Sequence, residues 1–189
     1  GILIASAYGA WFYLADQVVL SIISFALVGS LIAFLKFNLT PAKIFMGDTG
    51  SLLIGMICSI LTIRFIEHAS SSANPAVHAQ AAPAVAIGIL FLPLFDMLRV
   101  FVVRLLSGHS PFSPDRRHIH HLLVDSGLNH LQSTILLVGV NSLVILFVLQ
   151  AQEWGNVALI AGIIGFGTTL SALLTRIHKQ KNALRHDVV

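Results

Sequence analysis

The stretch Ser107-Gly-His-Ser-Pro-Phe-Ser-Pro-Asp-Arg-Arg-His-Ile-His-His121 lies between long apolar runs. It gathers two of the chain's eleven Lys and Arg, four of its nine His, three Ser and two Pro into fifteen residues. Cationic and imidazole groups at this density suit an anionic ligand. So polar a stretch cannot face lipid, where each unsatisfied polar group costs several kcal/mol, and it must form a loop at a membrane face. Within it, Ser113-Pro114 reads as an N-cap followed by Pro at the first helical position, with Asp115 in the first turn. The short helix so started runs to about Ser126, with Gly127 just past its end. On that helix His118, His121 and Asp125 share one face, His120 points elsewhere, and Asp125 is placed to hold His121 in one orientation. A zinc site needs converging His ligands that this spacing does not supply. Phosphate binding or general acid–base work by His fits better. The plain alternative is a basic loop that binds lipid headgroups.

A second polar patch is Asn38-Leu-Thr-Pro-Ala-Lys-Ile-Phe-Met-Gly-Asp-Thr-Gly-Ser51. Gly47 and Gly50 bracket Asp48, and glycine lets a ligand approach the backbone closely. Asp48 is a hard oxygen donor suited to Mg²⁺ that carries substrate phosphates. A helix starting near Ser51 would aim its N-terminus at this loop, which favours phosphate. The structural alternative is that Asp48, Thr49 or Ser51 is only an N-cap. Asp96 and Arg99, three residues apart, share a helix face at membrane depth, where ionisable groups mark function or tie a helix end as an ion pair.

The elements that must position these patches are apolar. Hydrophobic residues make up 56% of the chain and charged residues 10%, against roughly 25% charged in an ordinary soluble domain. The mean hydropathy is +0.88. Six apolar segments, 1–14, 18–35, 51–66, 83–103, 132–150 and 156–175, are hydrophobic all round. The fold class is therefore all-α, a polytopic integral membrane protein with about six transmembrane helices. Lys36 and Lys43 mark loop 36–50, Arg104, Arg116 and Arg117 mark loop 104–131, and Arg176, Lys179, Lys181 and Arg185 mark the tail. By the positive-inside rule these face the cytoplasm, and the Lys- and Arg-free loop 67–82 lies outside. Arg64, near the outer end of the third segment, is the exception, with Glu67 as its candidate partner. A net charge of +3 without a Lys/Arg-rich run argues against nucleic acid. The single Cys58 excludes an internal disulfide. The first segment is shorter than a span of about 20 residues and no Met precedes it. Residues 1–189 are thus expected to be one membrane domain, the C-terminal portion of a longer protein.

The string Pro41-Ala-Lys-Ile-Phe-Met-Gly-Asp-Thr-Gly-Ser-Leu-Leu-Ile-Gly55 resembles a signature of the polyprenyl-phosphate N-acetylhexosamine-1-phosphate transferases. Pro93-Leu-Phe-Asp-Met-Leu-Arg99, followed by Ser110-Pro-Phe-Ser-Pro-Asp-Arg-Arg-His-Ile-His-His-Leu-Leu123, is similar to the later signature of the same family. The match covers nearly the whole chain, in the expected order. The His-x-His-His form looks more like the bacterial branch that uses UDP-N-acetylglucosamine than the branch that makes the first lipid intermediate of peptidoglycan. The resemblance implies that undecaprenyl phosphate attacks the sugar-linked phosphate of UDP-N-acetylglucosamine, with UMP leaving, at the cytoplasmic face of a bacterial inner membrane. It implies that Asp48 ligates Mg²⁺, or Mn²⁺ in its place, and that Phe45 stacks on uracil. It places His118, His120 and His121 in the catalytic cleft, and Asn38 and Gly47 among the substrate-binding residues. Arg116 and Arg117 are candidates to clamp the diphosphate or the sugar. Membrane lipid surrounds such an enzyme, and a homodimer is compatible with it. The family's acidic N-terminal motifs, including an Asp-Asp pair, have no counterpart here, so the chain would hold about half of the active site. The competing readings are a transferase for another UDP-N-acetylhexosamine, or a transporter fragment whose pathway is lined by Asp96 and Arg99. Apart from Arg64 near the end of the third segment, five of the six segments are free of Asp, Glu, Lys and Arg, which favours an interfacial enzyme over a pathway through the membrane.

Overall fold

The structure is a computed structural model of the chain and describes residues 1–39, 41–108, 110 and 118–186, with side chains through residue 177. Eight α-helices and one 3-10 turn make up the regular structure among the described residues. The all-α, multi-pass class read from the sequence is what is found. The chain packs as two compact units, Gly1–Ile89 and Leu90–Val189.

In the first unit, α1 (Ile2–Leu14) and α2 (Val18–Asn38) form a helical hairpin. Its turn places Asp16 at φ 55°, in the left-handed region. The two helices approach closely because small residues face each other: a Cβ on Gly9 would lie 3.1 Å from the Ser24 Cβ, and Ser21 Oγ donates to the Gly9 carbonyl at 3.1 Å. Close approach at small residues is how membrane helices associate where no hydrophobic gain is available. The helix α3 (Gly47–Ser71) docks through aromatic contacts. Tyr8 hydrogen-bonds Thr62 at 2.9 Å, and Trp11 meets Phe65 edge-on at 4.8 Å between ring centres. Arg64 pairs with Glu67 at 2.9 Å, as their spacing suggests. A short helix α4 (Ala82–Ile89) closes the unit.

The second unit contains α5 (Phe91–Leu106), α6 (Ile119–Asp125), α7 (His130–Gln150) and α8 (Gly155–His186), with a 3-10 turn at Gln152–Trp154. Phe95 lies against the backbone of α8 at Gly167, where an added Cβ would come within 2.5 Å of the ring. Arg99 Nε donates to Ser171 Oγ.

Two expectations change. Among the described residues, four helices are long and apolar enough to cross a membrane, or five if the broken pair α4 and α5 counts as one span. At 13 residues α1 stays short, about 20 Å at 1.5 Å per residue. The segment 83–103 is not one continuous helix but breaks at Leu90. Pro93 accounts for the break: it has no N–H to offer, and its ring clashes with the carbonyl four residues back, that of Ile89. The interruption exposes backbone donors at the start of α5, and the buried Asn141 of α7 supplies Oδ1 to the Leu92 amide at 3.0 Å.

Candidate functional site

The first patch is built at the junction of α2 and α3. Asn38 ends α2, and its side-chain amide donates to the Ile44 carbonyl at 3.0 Å. The Lys43 amide returns to the Phe37 carbonyl at 2.8 Å. These two bonds fold the connection back on itself and leave Phe45 standing out with 85% of its surface exposed. A ring this bare lies outside the apolar packing of the described residues. Asn38 therefore acts on the loop, through Ile44.

The helix α3 begins at Gly47, four residues earlier than the sequence suggested. Gly47 has φ 64°, while nothing lies within 4 Å of where its Cβ would be. The glycine serves the backbone turn, and the space beside its Cα is open. The N-cap is Met46, with no side-chain capping bond. Asp48 is exposed in the first turn, where a carboxylate complements the helix dipole. Among the described residues its side chain makes no hydrogen bond or ion pair. Ser51 Oγ donates to the Asp48 carbonyl at 2.9 Å. The capping alternative for Asp48, Thr49 and Ser51 fails, because none of them occupies the cap. An exposed carboxylate at a helix start, with no structural bond to satisfy, fits Mg²⁺, which keeps several waters and takes only one or two protein carboxylates. Among the described residues no group of three or more His, Cys, Asp and Glu side chains could enclose a metal.

The second patch differs from its sequence reading. The residues Ser113, Pro114, Asp115, Arg116 and Arg117 lie outside the described residues. The helix that can be described, α6, starts at Ile119, and His118 is its N-cap in extended backbone, φ −64° and ψ 149°. His118 therefore does not share a helix face with His121 and Asp125. Its Nδ1 lies 2.9 Å from Asp96 Oδ2, and the Ile119 amide donates to Asp96 Oδ1 at 2.9 Å. One carboxylate on α5 thus holds the imidazole and caps α6. Arg99 interacts with the Asp96 charge while its Nε bonds Ser171. Among the described residues, Asp125 makes no hydrogen bond to His121.

The end of α6 follows its sequence. Gly127 takes φ 101°. Its amide bonds the Val124 carbonyl, and the Leu128 amide bonds the Leu123 carbonyl, at 2.9 and 3.2 Å. This paired pattern is a Schellman stop. Asn129 and Gln132 then form a reciprocal capping box that starts α7 at His130. The tight link brings His130 Nδ1 to 3.1 Å from His120 Nε2, with the two rings stacked 5.4 Å apart. The His121 ring is 5.9 Å from that of His120. Burial lowers the His120 pKa from its usual value, the neighbouring His130 and His121 lower it further, and Asp96 acts the other way. His130 escaped the sequence reading. The Gly127 stop followed by Asn129-x-x-Gln132 was the signal that α7 begins there and turns its first ring back on α6.

Residues 1–66 match the glycosyl transferase family 4 model. The chain is 34% identical over 135 residues to an undecaprenyl-phosphate alpha-N-acetylglucosaminyl 1-phosphate transferase of Yersinia pestis, covering 69% of this chain and 35% of the relative. Its likeness to the protein of the same name in Escherichia coli K12 is 35% over 136 residues, 70% of this chain and 35% of the relative. A decaprenyl-phosphate N-acetylglucosaminephosphotransferase of Mycobacterium leprae is 36% identical over 120 residues, 62% of this chain and 30% of the relative. The chain spans about a third of the length of the curated relatives it matches. No solved structure matches. The chain carries the glycosyl transferase family 4 pattern in residues 1–66, and over about two thirds of its length it is similar to polyprenyl-phosphate N-acetylglucosamine-1-phosphate transferases.

Proposed function

We propose that these residues belong to a bacterial inner-membrane transferase that moves N-acetylglucosamine 1-phosphate from UDP-N-acetylglucosamine to undecaprenyl phosphate. The observation that carries this reading is the pairing of a bare Phe45, on a loop folded back by Asn38, with an exposed Asp48 three residues on in the first turn of α3. A stacking surface beside a hard-oxygen donor is what a nucleoside diphosphate with its Mg²⁺ requires. The motifs and the named relatives support it.

In the reaction, an oxygen of the lipid phosphate forms a bond to the sugar-linked phosphorus as the bond to the UMP oxygen breaks. Phosphoryl transfer asks the protein mainly for positioning and for neutralisation of charge. Phe45 orients the base, and the Gly47 turn sets the start of α3 behind the diphosphate. Asp48 is the ligand for Mg²⁺, or for Mn²⁺ in its place, and the ion when bound neutralises charge on the diphosphate. In the second unit, His118 offers a substrate the ring nitrogen that does not face Asp96, and His120 and His121 are further imidazoles of the same segment. Arg116 and Arg117, which precede His118 in the sequence, carry guanidinium groups suited to phosphate. The charge bias of the loops supports the cytoplasmic face for this chemistry.

The test is transfer of radiolabelled sugar phosphate into a lipid extract, with UMP release measured in parallel. It uses the enzyme carrying these residues, in membranes lacking any endogenous transferase. Label in lipid with equal UMP is the expected result. Neither label nor UMP, from correctly inserted protein, would overturn the reading.

A further inference from the structure

The His-x-His-His segment has a partner on another helix that its own sequence does not reveal. Asp96 is on α5, 22 residues before His118, and its two oxygens do different things. Oδ1 accepts the Ile119 amide, which satisfies one of the orphan donors at the start of α6. Oδ2 faces His118 Nδ1 at 2.9 Å. The Asp96 side chain is 20% exposed and the His118 side chain 44% exposed, so the carboxylate is the sheltered member and the imidazole the presented one. Arg99, one helical turn on, interacts with the same carboxylate and is itself held by Ser171.

We propose that Asp96 is the positioning residue of His118 in the transfer reaction. This rests on the transferase reading given above. A carboxylate is acceptor-only when ionised, so the ring nitrogen facing it must be Nδ1–H. That fixes the neutral tautomer and leaves the Nε2 lone pair as the atom offered to substrate. A proton taken from the P–OH of a monoprotonated lipid phosphate would sit on Nε2. The resulting imidazolium would keep Nδ1–H on Asp96, whose charge stabilises it, in the manner of the carboxylate in a Ser-His-Asp triad. Asp96 touches neither lipid nor nucleotide in this scheme.

The Asp96→Asn substitution separates this role from capping. The Asn side-chain oxygen still accepts the Ile119 amide, so the α6 cap survives. Its NH₂ group now faces Nδ1, which must become the acceptor, and the ring proton moves to Nε2. In the enzyme carrying these residues, labelled with ¹⁵N-His and assigned through His118→Gln, we expect His118 to be protonated on Nδ1 and bare on Nε2. The spectrum is read near pH ~8, where an ordinary imidazole is neutral. Asp96→Asn should reverse the tautomer and lower kcat about 100-fold with KM for the sugar nucleotide unchanged. Asp96→Glu, which restores a carboxylate, should recover part of the loss. A His118 protonated on Nε2 in the unsubstituted enzyme would overturn the proposal, and so would full kcat in Asp96→Asn. Should Asp96→Asn fail to fold, the tautomer of the unsubstituted enzyme still decides. Absence of UMP release by the unsubstituted enzyme would sink the transferase reading, whereas the tautomer measurement judges the Asp96–His118 pairing independently.

Discussion

At the scale of single residues, Asp48 is an exposed carboxylate whose side chain makes no hydrogen bond or ion pair among the described residues. Met46 holds the N-cap position of α3 and Ser51 binds only the Asp48 backbone. Asp48→Asn should therefore leave the fold in place and cost only about 0.3–1 kcal/mol of helix-dipole stabilisation. On the transferase reading it should cut transfer at least about 100-fold, because a neutral amide is a poor Mg²⁺ ligand and the charge proposed to anchor the ion disappears. Near-normal lipid labelling by this variant would show that the charge is not used. His120 gives a second prediction. Burial and then the rings of His130 and His121 push its pKa down, against the pull of Asp96. The neutral ring is thus favoured in the folded state. The stability linked to this group is complete above the ordinary imidazole value, about 6.5, and is lost as pH falls through that value towards the lowered folded one. An NMR titration should find His120 titrating below an unhindered imidazole. His130→Asn should raise its midpoint only part of the way, because burial, the larger cause, remains. A His120 midpoint at or above the ordinary value would contradict the stacked geometry.

At the scale of elements, the link between α6 and α7 decides where the imidazoles meet. Gly127 sits at φ 101° within the Schellman stop. An L-residue with a side chain is disfavoured there by about 1–2 kcal/mol. Gly127→Ala should accordingly speed hydrogen exchange of the α6 amides roughly 5- to 30-fold without changing exchange in α2. Unchanged α6 exchange would mean that the stop does not hold this helix. This glycine was legible in the sequence, as were the helices of the long apolar runs, because both follow from local chemistry. The start of α6 was not. Ser113-Pro114 carries a strong local cap signal, yet the cap that the structure describes is His118, braced by a carboxylate 22 residues away. Local propensity contains no information about Asp96. Asp96 and Arg99 stood out correctly as ionisable residues on an apolar helix, but their partners, His118 and Ser171, come from tertiary packing. The break at Leu90 was within reach, since Pro93 announces it. It was hidden by an apolar run long enough to pass for one span.

At the scale of the whole molecule, the distribution of Lys and Arg sets an orientation that labelling can check. With Cys58 replaced by Ala, a cysteine at Ser71 should react with an impermeant thiol reagent in intact cells. A cysteine at Ser110 should react only after the membrane is opened, if the loops rich in Lys and Arg lie inside as the positive-inside rule expects. External labelling at Ser110 would invert the topology and remove both patches from the cytoplasm. The Asn141 contact adds a constraint of a different kind, one of order in time. The Leu92 amide at the start of α5 is satisfied by a side chain made 49 residues later. At about 5–20 residues per second, ribosomal synthesis needs roughly 2–10 s to produce it. During that interval the interrupted helix has no Asn141 to bind, and an unpaired amide is costly in lipid. The α4–α5 segment is therefore expected to stay near water or the insertion machinery until α7 emerges. Its entry into the membrane then becomes a step completed by a later helix, rather than one fixed by its own hydrophobicity.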